Sequence, residues 1–325
     1  MFMDKKRVLL TGATGFIGGR LLRRLQEQGA TVRCLVRSAK KFQSVFGAQT
    51  GLEVVEGDLV QGTGLDEAMQ GVWACYYLVH SMGPAQGKGG GEFAQKDRQA
   101  AENFRQAAEA SGMQRVVYLS GLGDRNAALS HHLSSRQEVG NILASGSLAV
   151  TELRAGVIIG SGGASFEMIR YLTERLPVII GPKWLKTLCQ PIAVENVLDY
   201  LLGCLEVPET ANRVLEICGP DRSTYRELML TYAQVRGLRR LIFTVPLFTP
   251  KLASYWVQLI TPVPSSLVRP LIAGLKNEVT CRDEQILSLI PIRRIPVQEA
   301  LCTAMAEEEK GPGAIPSMQA CFFKE

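Results

Sequence analysis

No run of 18 consecutive apolar residues occurs anywhere in the 325-residue chain, so no membrane-spanning helix is expected. The nearest approach, Leu252 to Val268, is uncharged but interrupted by Pro262 and Pro264. Its Tyr255-Trp256-Val257 centre could lie against a membrane or a protein partner, although packing within a small C-terminal region is the favoured account. An excess of either charge is also missing. The formal net charge is only +5 and is spread along the chain, which gives no basic stripe for nucleic acid. The eight cysteines never form a C-x-x-C pair, and most sit in apolar runs such as Trp73-Ala74-Cys75-Tyr76. They read as reduced core residues of a cytosolic protein, and no metal site is expected. The charged segment Met1 to Arg7 leads directly into an apolar one and leaves no room for a signal-peptide h-region, so a cytoplasmic location is expected. There is no internal repeat.

What is present is a 46% apolar chain, enough to bury a large core, with strand-like and helix-like patterns in alternation. That alternation predicts an α/β fold, a parallel sheet with helices on both faces. Strands are expected at Val8 to Leu10, Thr31 to Val36, Leu52 to Glu56, Trp73 to Val79, Arg115 to Leu119, Val150 to Leu153 and Arg213 to Ile217. Helices are expected near Leu65 to Gln70, Glu92 to Ala110 and Glu195 to Leu205. A capping box, Thr224-x-x-Glu227, starts another that ends near Gly237. Beyond it, prolines at 246, 250, 262, 264 and 270 break the pattern, and 307–325 reads as a loose tail.

The segment Thr11 to Gly18, TGATGFIG, joins the first strand to a helix whose apolar stripe is Ile17, Leu21, Leu22 and Leu25. Gly12, Gly15 and Gly18 fall where a tight turn, a close approach to phosphate and close helix–strand packing would each exclude a Cβ. The helix they open offers free N–H groups and a positive dipole end to an anion, so this is a dinucleotide site. An NAD site would show an Asp or Glu some 20 residues on, to bond the ribose 2′-hydroxyl. Here the position after the second strand is Arg37, followed by Lys40 and Lys41, with no acid between Thr31 and Thr50. That favours NADP, with NADPH preferred over NADH, the alternative being that Arg37 is a solvated surface charge. Asp58 could accept from an adenine amino group or cap the next turn, and the roles are not exclusive. His80 and Ser81 follow the fourth strand, and the glycine-rich segment Gly83 to Gly91 could cover the site or merely connect.

TGATGFIG, the Gly57-Asp58 pair, Val116 to Ser120 and Leu153 to Gly160 are similar to the extended and atypical short-chain dehydrogenase/reductase superfamily, in particular its NmrA-like and complex I accessory-subunit-like groups. The resemblance spans roughly residues 7–237. It implies a Rossmann-type doubly wound parallel sheet over 1–220, with 160–190 on the substrate side, and a smaller, mostly helical C-terminal substrate or interaction region over 221–325. It also implies cofactor contacts from Gly12, Thr14, Gly15, Phe16, Ile17, Gly18, Arg37, Lys41, Asp58 and Leu59. Further contacts would come from Val79, His80, Ser81 and Ser120, with Ala155, Gly156 and Val157 near the nicotinamide. The superfamily's catalytic pattern is Tyr-x-x-x-Lys on a helix, with a serine after the fifth strand. The matching stretch here is His132-Leu133-Ser134-Ser135-Arg136, making His132, Arg136 and Ser120 the catalytic candidates. Arg136 would keep the positive charge without exchanging protons, and His132 would have to be the acid. Against this, Ser134-x-x-Gln137 is a capping box that would start the helix at Ser134 and leave His132 outside it, facing solvent. Two functions follow from the resemblance: an NADP(H)-dependent oxidoreductase acting on an unidentified small molecule, or a non-catalytic NADP(H)-binding redox sensor or assembly protein.

Overall fold

The computed structural model describes residues 6–47, 52–80, 91–123, 131–245, 257, 260–263, 268, 272 and 274–310. The first unit is β1 (Arg7–Thr11), α1 (Phe16–Glu27) and β2 (Val32–Val36), followed by α2 (Ala39–Phe46), β3 (Glu53–Glu56) and α3 (Leu65–Met69). The second half of the sheet comes from β4 (Val72–Tyr77), α4 (Gly91–Ala110), β5 (Arg115–Gly121), α5 (His131–Ala144) and β6 (Ala149–Ala155). Next come β7 (Ile158–Ile159), α6 (Ala164–Arg175), β8 (Val178–Pro182), β9 (Leu188–Cys189), β10 (Ile192–Ala193), α7 (Val194–Glu206) and β11 (Arg213–Ile217). The C-terminal part is mostly helical, with β12 (Ser223–Thr224), α8 (Tyr225–Val235), β13 (Leu241–Val245), α9 (Gln285–Leu289) and α10 (Val297–Lys310).

Seven parallel strands form one sheet in the order β11-β6-β5-β4-β1-β2-β3. The chain runs outward in both directions from β1, which puts the switch point between β1 and β4, where an open parallel sheet leaves a crevice at its carboxyl edge. The Thr11 hydroxyl pins that edge by donating to the Tyr76 carbonyl at 3.3 Å and accepting from the Leu78 N–H at 3.2 Å. Each sheet face carries its own core. On one, α1 buries Leu21, Leu22 and Leu25 completely beside α7, and each such leucine contributes about 1.5–3 kcal/mol. Gly29, in the left-handed region at φ 71°, stops α1. On the other face Phe104 of α4 packs edge-on to Tyr77.

A third core lies past the carboxyl edge, where Phe166, Ile179, Tyr225, Leu228, Tyr232 and Leu301 join α6, β8, α8 and α10. The predicted capping box starts α8, with Thr224 Oγ1 accepting from the Glu227 N–H and the Glu227 carboxylate accepting from the Thr224 N–H at 2.7 Å. Arg20 of α1 pairs with the buried Glu307 of α10 at 2.6 Å and ties this cap to the helix that opens at the glycine turn.

The cysteine expectation needs correction. Cys34, Cys75, Cys189 and Cys204 are free and buried as read, but Cys218 and Cys281 form a disulfide across 63 residues, and Cys302 is also disulfide-bonded. The fold brings the α-carbons of Cys218 and Cys281 to 6.1 Å, inside the bonding range, and spacing along the chain cannot reveal such a pairing. Among the described residues no helix is long and apolar enough to cross a membrane. Most of Leu252 to Val268 lies outside the described residues. Val257, Val263 and Val268 are buried against Met168 and Ile272, in line with the packing account.

Candidate active site

The glycine turn is built around one carbonyl. Gly12, at φ 74°, directs its oxygen to the Gly15 N–H at 2.9 Å, and a Cβ on Gly12 would stand 2.7 Å from the Leu78 carbonyl oxygen. A Cβ on Gly18 would sit 2.1 Å from the Gly12 oxygen, so helix and turn touch through backbone alone. The first turn of α1 has no side-chain cap and no acidic residue, leaving its N–H groups for an external anion. This cradle fits a pyrophosphate and would be filled by any larger residue.

The cradle opens into a cavity of about 600 Å³. The cavity collects Gly12, Gly15, Phe16, Ile17, Gly18, His80, Ser120, His132, Arg136, Ala155, Gly156 and Val157 from the predicted residues. Most of the rest of its wall is apolar and comes from the third core and its neighbours, including Met168, Leu172, Trp184, Met229, Val257 and Leu275. Other predicted residues lie elsewhere. Thr14 is exposed at the turn, and Leu59 and Val79 pack into the α4-side core. Asp58 caps the following turn, accepting from the N–H groups of Val60 and Gln61 at 2.7 and 3.2 Å. Arg37 is exposed just past β2 and makes no ion pair among the described residues. Lys41 is exposed in α2, with its backbone N–H on the Ser38 cap. Ser81 and the Gly83 to Gly91 segment, apart from the first residue of α4, are outside the described residues.

The expected helix start at Ser134 is overturned. Helix α5 begins at His131, which places His132 inside it and one turn before Arg136, with both side chains on the cavity. The reason is tertiary. His132 Nδ1 is 2.9 Å from His80 Nε2, and Ser135 donates to Asp97 Oδ2 at 3.1 Å, so this turn of α5 is held by partners on other elements. His80 Nδ1 lies 3.0 Å from the same Asp97 oxygen. Asp97, 4% exposed, was not singled out by sequence reasoning. The signal was present: with Ala101, Phe104 and Ala108 it occupies one helical stripe of α4, and a carboxylate on a buried stripe must be answered by donors.

Arg136 donates to the Leu119 carbonyl at 3.0 Å, and its own carbonyl accepts from the Tyr118 hydroxyl at 3.0 Å. The Ser120 hydroxyl is buried without a well-formed hydrogen bond among the described residues. Burial drives His132 down to about 2, with Arg136 and His80 adding to the effect and Asp97 opposing it. His80 is also lowered, by burial and then Arg136, against its bond to Asp97. Both rings are therefore neutral in the fold, whereas in the unfolded chain they take protons below about pH 6.5. Their contribution to stability is complete above that pH and is lost on acidification, by up to about 1.4 kcal/mol per pH unit per ring. Between pH 7 and 5 the unmodified protein should lose thermal stability more steeply than His132→Gln, and equal slopes would show that His132 charges within the fold.

With the cradle and cavity in view, residues 12–160 match the family of NAD(P)H-binding domains. The match covers a little under half of the chain. The chain is 27% identical to the ceramide reductase of Caulobacter vibrioides over 239 residues, 74% of this chain and 73% of that protein. It is 23% identical to the photosystem II assembly factor Ycf39 of Trieres chinensis over 248 residues, 76% and 74% of the two chains. The triphenylmethane reductase of Citrobacter sp., solved with NADP(H), superposes with a TM-score of 0.72 over 91% of this chain and 99% of that one at 18% identity, a likeness of fold. The chain thus shares the doubly wound fold of that reductase.

Proposed function

We propose that the protein is an NADP(H)-dependent oxidoreductase whose substrate is a bulky, largely apolar carbonyl compound or the corresponding alcohol. The observation that carries this reading is the continuity of one cavity from the glycine cradle, past His132 and Ser120, to an apolar wall. When bound, the cofactor supplies or removes a hydride. Gly12 to Gly18 and the N-terminus of α1 would hold the pyrophosphate, Arg37 the 2′-phosphate, and Ala155 to Val157 would border the nicotinamide. The portion 1–220 would then carry the cofactor, with 160–190 and 221–325 shaping the substrate side. The name of the Caulobacter relative, a reductase of a lipid, is in keeping with the apolar wall.

Arg37 gives the test of cofactor choice. A charge-assisted contact to phosphate contributes about 1.5–3 kcal/mol, so Arg37→Glu should weaken NADPH binding about 10- to 100-fold and leave NADH binding nearly unchanged. Equal affinity for NADH and NADPH in the unmodified protein would defeat the 2′-phosphate argument. The reductase reading itself is tested by following NADPH oxidation with phenanthrenequinone and a set of apolar ketones. Tight NADPH binding with no oxidation of it would favour the second function, that of a cofactor-holding assembly protein; the Trieres relative is named as an assembly factor.

A further inference from the structure

We propose that Asp97, His80 and His132 form a proton relay ending at His132 Nε2 in the cavity, with His132 the catalytic residue that exchanges the substrate's proton and His80 and Asp97 positioning residues behind it. The proposal rests on the oxidoreductase reading for its substrate, but the relay is a property of the chain. Asp97 on α4 is buried, and its Oδ2 receives both the Ser135 hydroxyl at 3.1 Å and His80 Nδ1 at 3.0 Å. An ionised carboxylate only accepts, so His80 must carry its proton on Nδ1. In the neutral ring that leaves Nε2 as an acceptor, and its neighbour at 2.9 Å, His132 Nδ1, must then be the donor. One hydrogen-bond chain therefore dictates both tautomers. Of the four ring nitrogens, His132 Nε2 alone has no partner among the described residues, and His132 lines the cavity with Ser120 and Arg136. Among the described residues, the charged groups facing the two rings are Asp97 from α4 and Arg136 from α5.

In the oxidative direction the substrate O–H bond breaks and its proton goes to Nε2. The electron pair stays on oxygen and closes the C=O bond, and an oxidised nicotinamide, when bound, would supply the acceptor for the hydride leaving carbon. His132 can then pass its Nδ1 proton to His80 Nε2, which places the new cation directly against the Asp97 carboxylate. Reduction runs the same transfers backwards from a ring pair that has first taken one proton from solvent, with Nε2–H protonating the oxygen as carbon gains the hydride. Arg136 cannot take this role, because a guanidinium does not release its proton. Tyr118 is turned away, its hydroxyl on the Arg136 carbonyl.

The chain has only three histidines, so the rings can be resolved in long-range proton–nitrogen NMR spectra of the ¹⁵N-labelled full-length protein without ligand. The expected result between pH 6 and 8 is two rings in the Nδ1–H form with bare Nε2. Asp97→Asn, whose amide can donate to His80, should convert both to the Nε2–H form. The same variant should lower kcat for NADPH oxidation by phenanthrenequinone about a hundredfold or more, with NADPH affinity unchanged. His132→Gln, assayed alongside, should lower kcat as much, which guards against a folding defect in Asp97→Asn. Nε2–H tautomers in the unmodified protein, or an Asp97→Asn kcat within twofold of it, would overturn the relay. Correct tautomers with no NADPH oxidation by any quinone or ketone would overturn the oxidoreductase reading, and the catalytic role of His132 with it.

Discussion

Gly18→Ala is expected to weaken NADPH binding by more than about a hundredfold and to cost about 3 kcal/mol of stability, the upper end for forcing extra volume into a packed site. The added Cβ would meet the Gly12 oxygen at 2.1 Å, the Gly12 carbonyl carbon at 2.7 Å and the Ala13 α-carbon at 3.0 Å. None of these is the movable end of a side chain, so relief requires the turn to open. Opening it breaks the 2.9 Å bond from the Gly15 N–H to the Gly12 oxygen and misdirects the N–H groups that face the anion. Two lost charge-assisted bonds, at about 1.5 kcal/mol or more each, account for the affinity change. Gly29→Ala is the control. Gly29 also has positive φ, at 71°, but nothing lies within 4 Å of its Cβ position, so the cost should be only about 1 kcal/mol with NADPH affinity unchanged. Urea denaturation and fluorescence titration with NADPH give both quantities. Binding by Gly18→Ala within threefold of the unmodified protein would show that the cradle does not use this contact.

The cradle was legible because its constraints are local: glycines between a strand and a helix leave a pattern that needs no distant partner. The same holds for β11, found at Arg213 to Ile217 as read, and for the Thr224 capping box. The seven-stranded sheet followed from alternation alone. What escaped sequence reading depends on residues far apart in the chain. The stretch after Gly160 loses its pattern because α6 buries Phe166 in the third core while presenting Met168 and Leu172 to the cavity, two environments on one helix. Helix α5 already runs through His131 to Leu133, ahead of its apparent cap, and the contacts that hold this turn come from His80 and Asp97, 52 and 38 residues upstream of their α5 partners. His132 was named from its place in the superfamily pattern, but its competence as a proton carrier is visible only when the ring behind it and the carboxylate behind that ring are in contact.

Glu152 and Arg154 present the largest stability effect outside the cradle. They lie two apart on β6 and so share a face, both nearly inaccessible, with Arg154 Nε and Nη2 donating to the two Glu152 oxygens at 2.7 and 3.2 Å. Helix α5 passes so close that a Cβ on Gly140 would come within 2.5 Å of Glu152 Oε2. Glu152→Leu leaves a buried guanidinium without its counter-ion, a change that costs about 3–5 kcal/mol. A cleft lined by Gly140, Asn141, Asn212 and Glu152 itself can admit water to the site, which places the expected loss at the lower end, about 3 kcal/mol. Arg154→Leu should cost a similar amount, since it strands the carboxylate instead. The double variant should return to within about 1 kcal/mol of the unmodified protein, because two leucines need no partner and the desolvation of both charges is removed. Chemical denaturation of the four proteins measures the coupling, and strictly additive losses would mean that the two side chains do not depend on each other. NADPH affinity in the double variant should be unchanged, since the cradle lies on β1 and α1. Any change in turnover would then report movement of α5, the helix that carries His132 and Arg136.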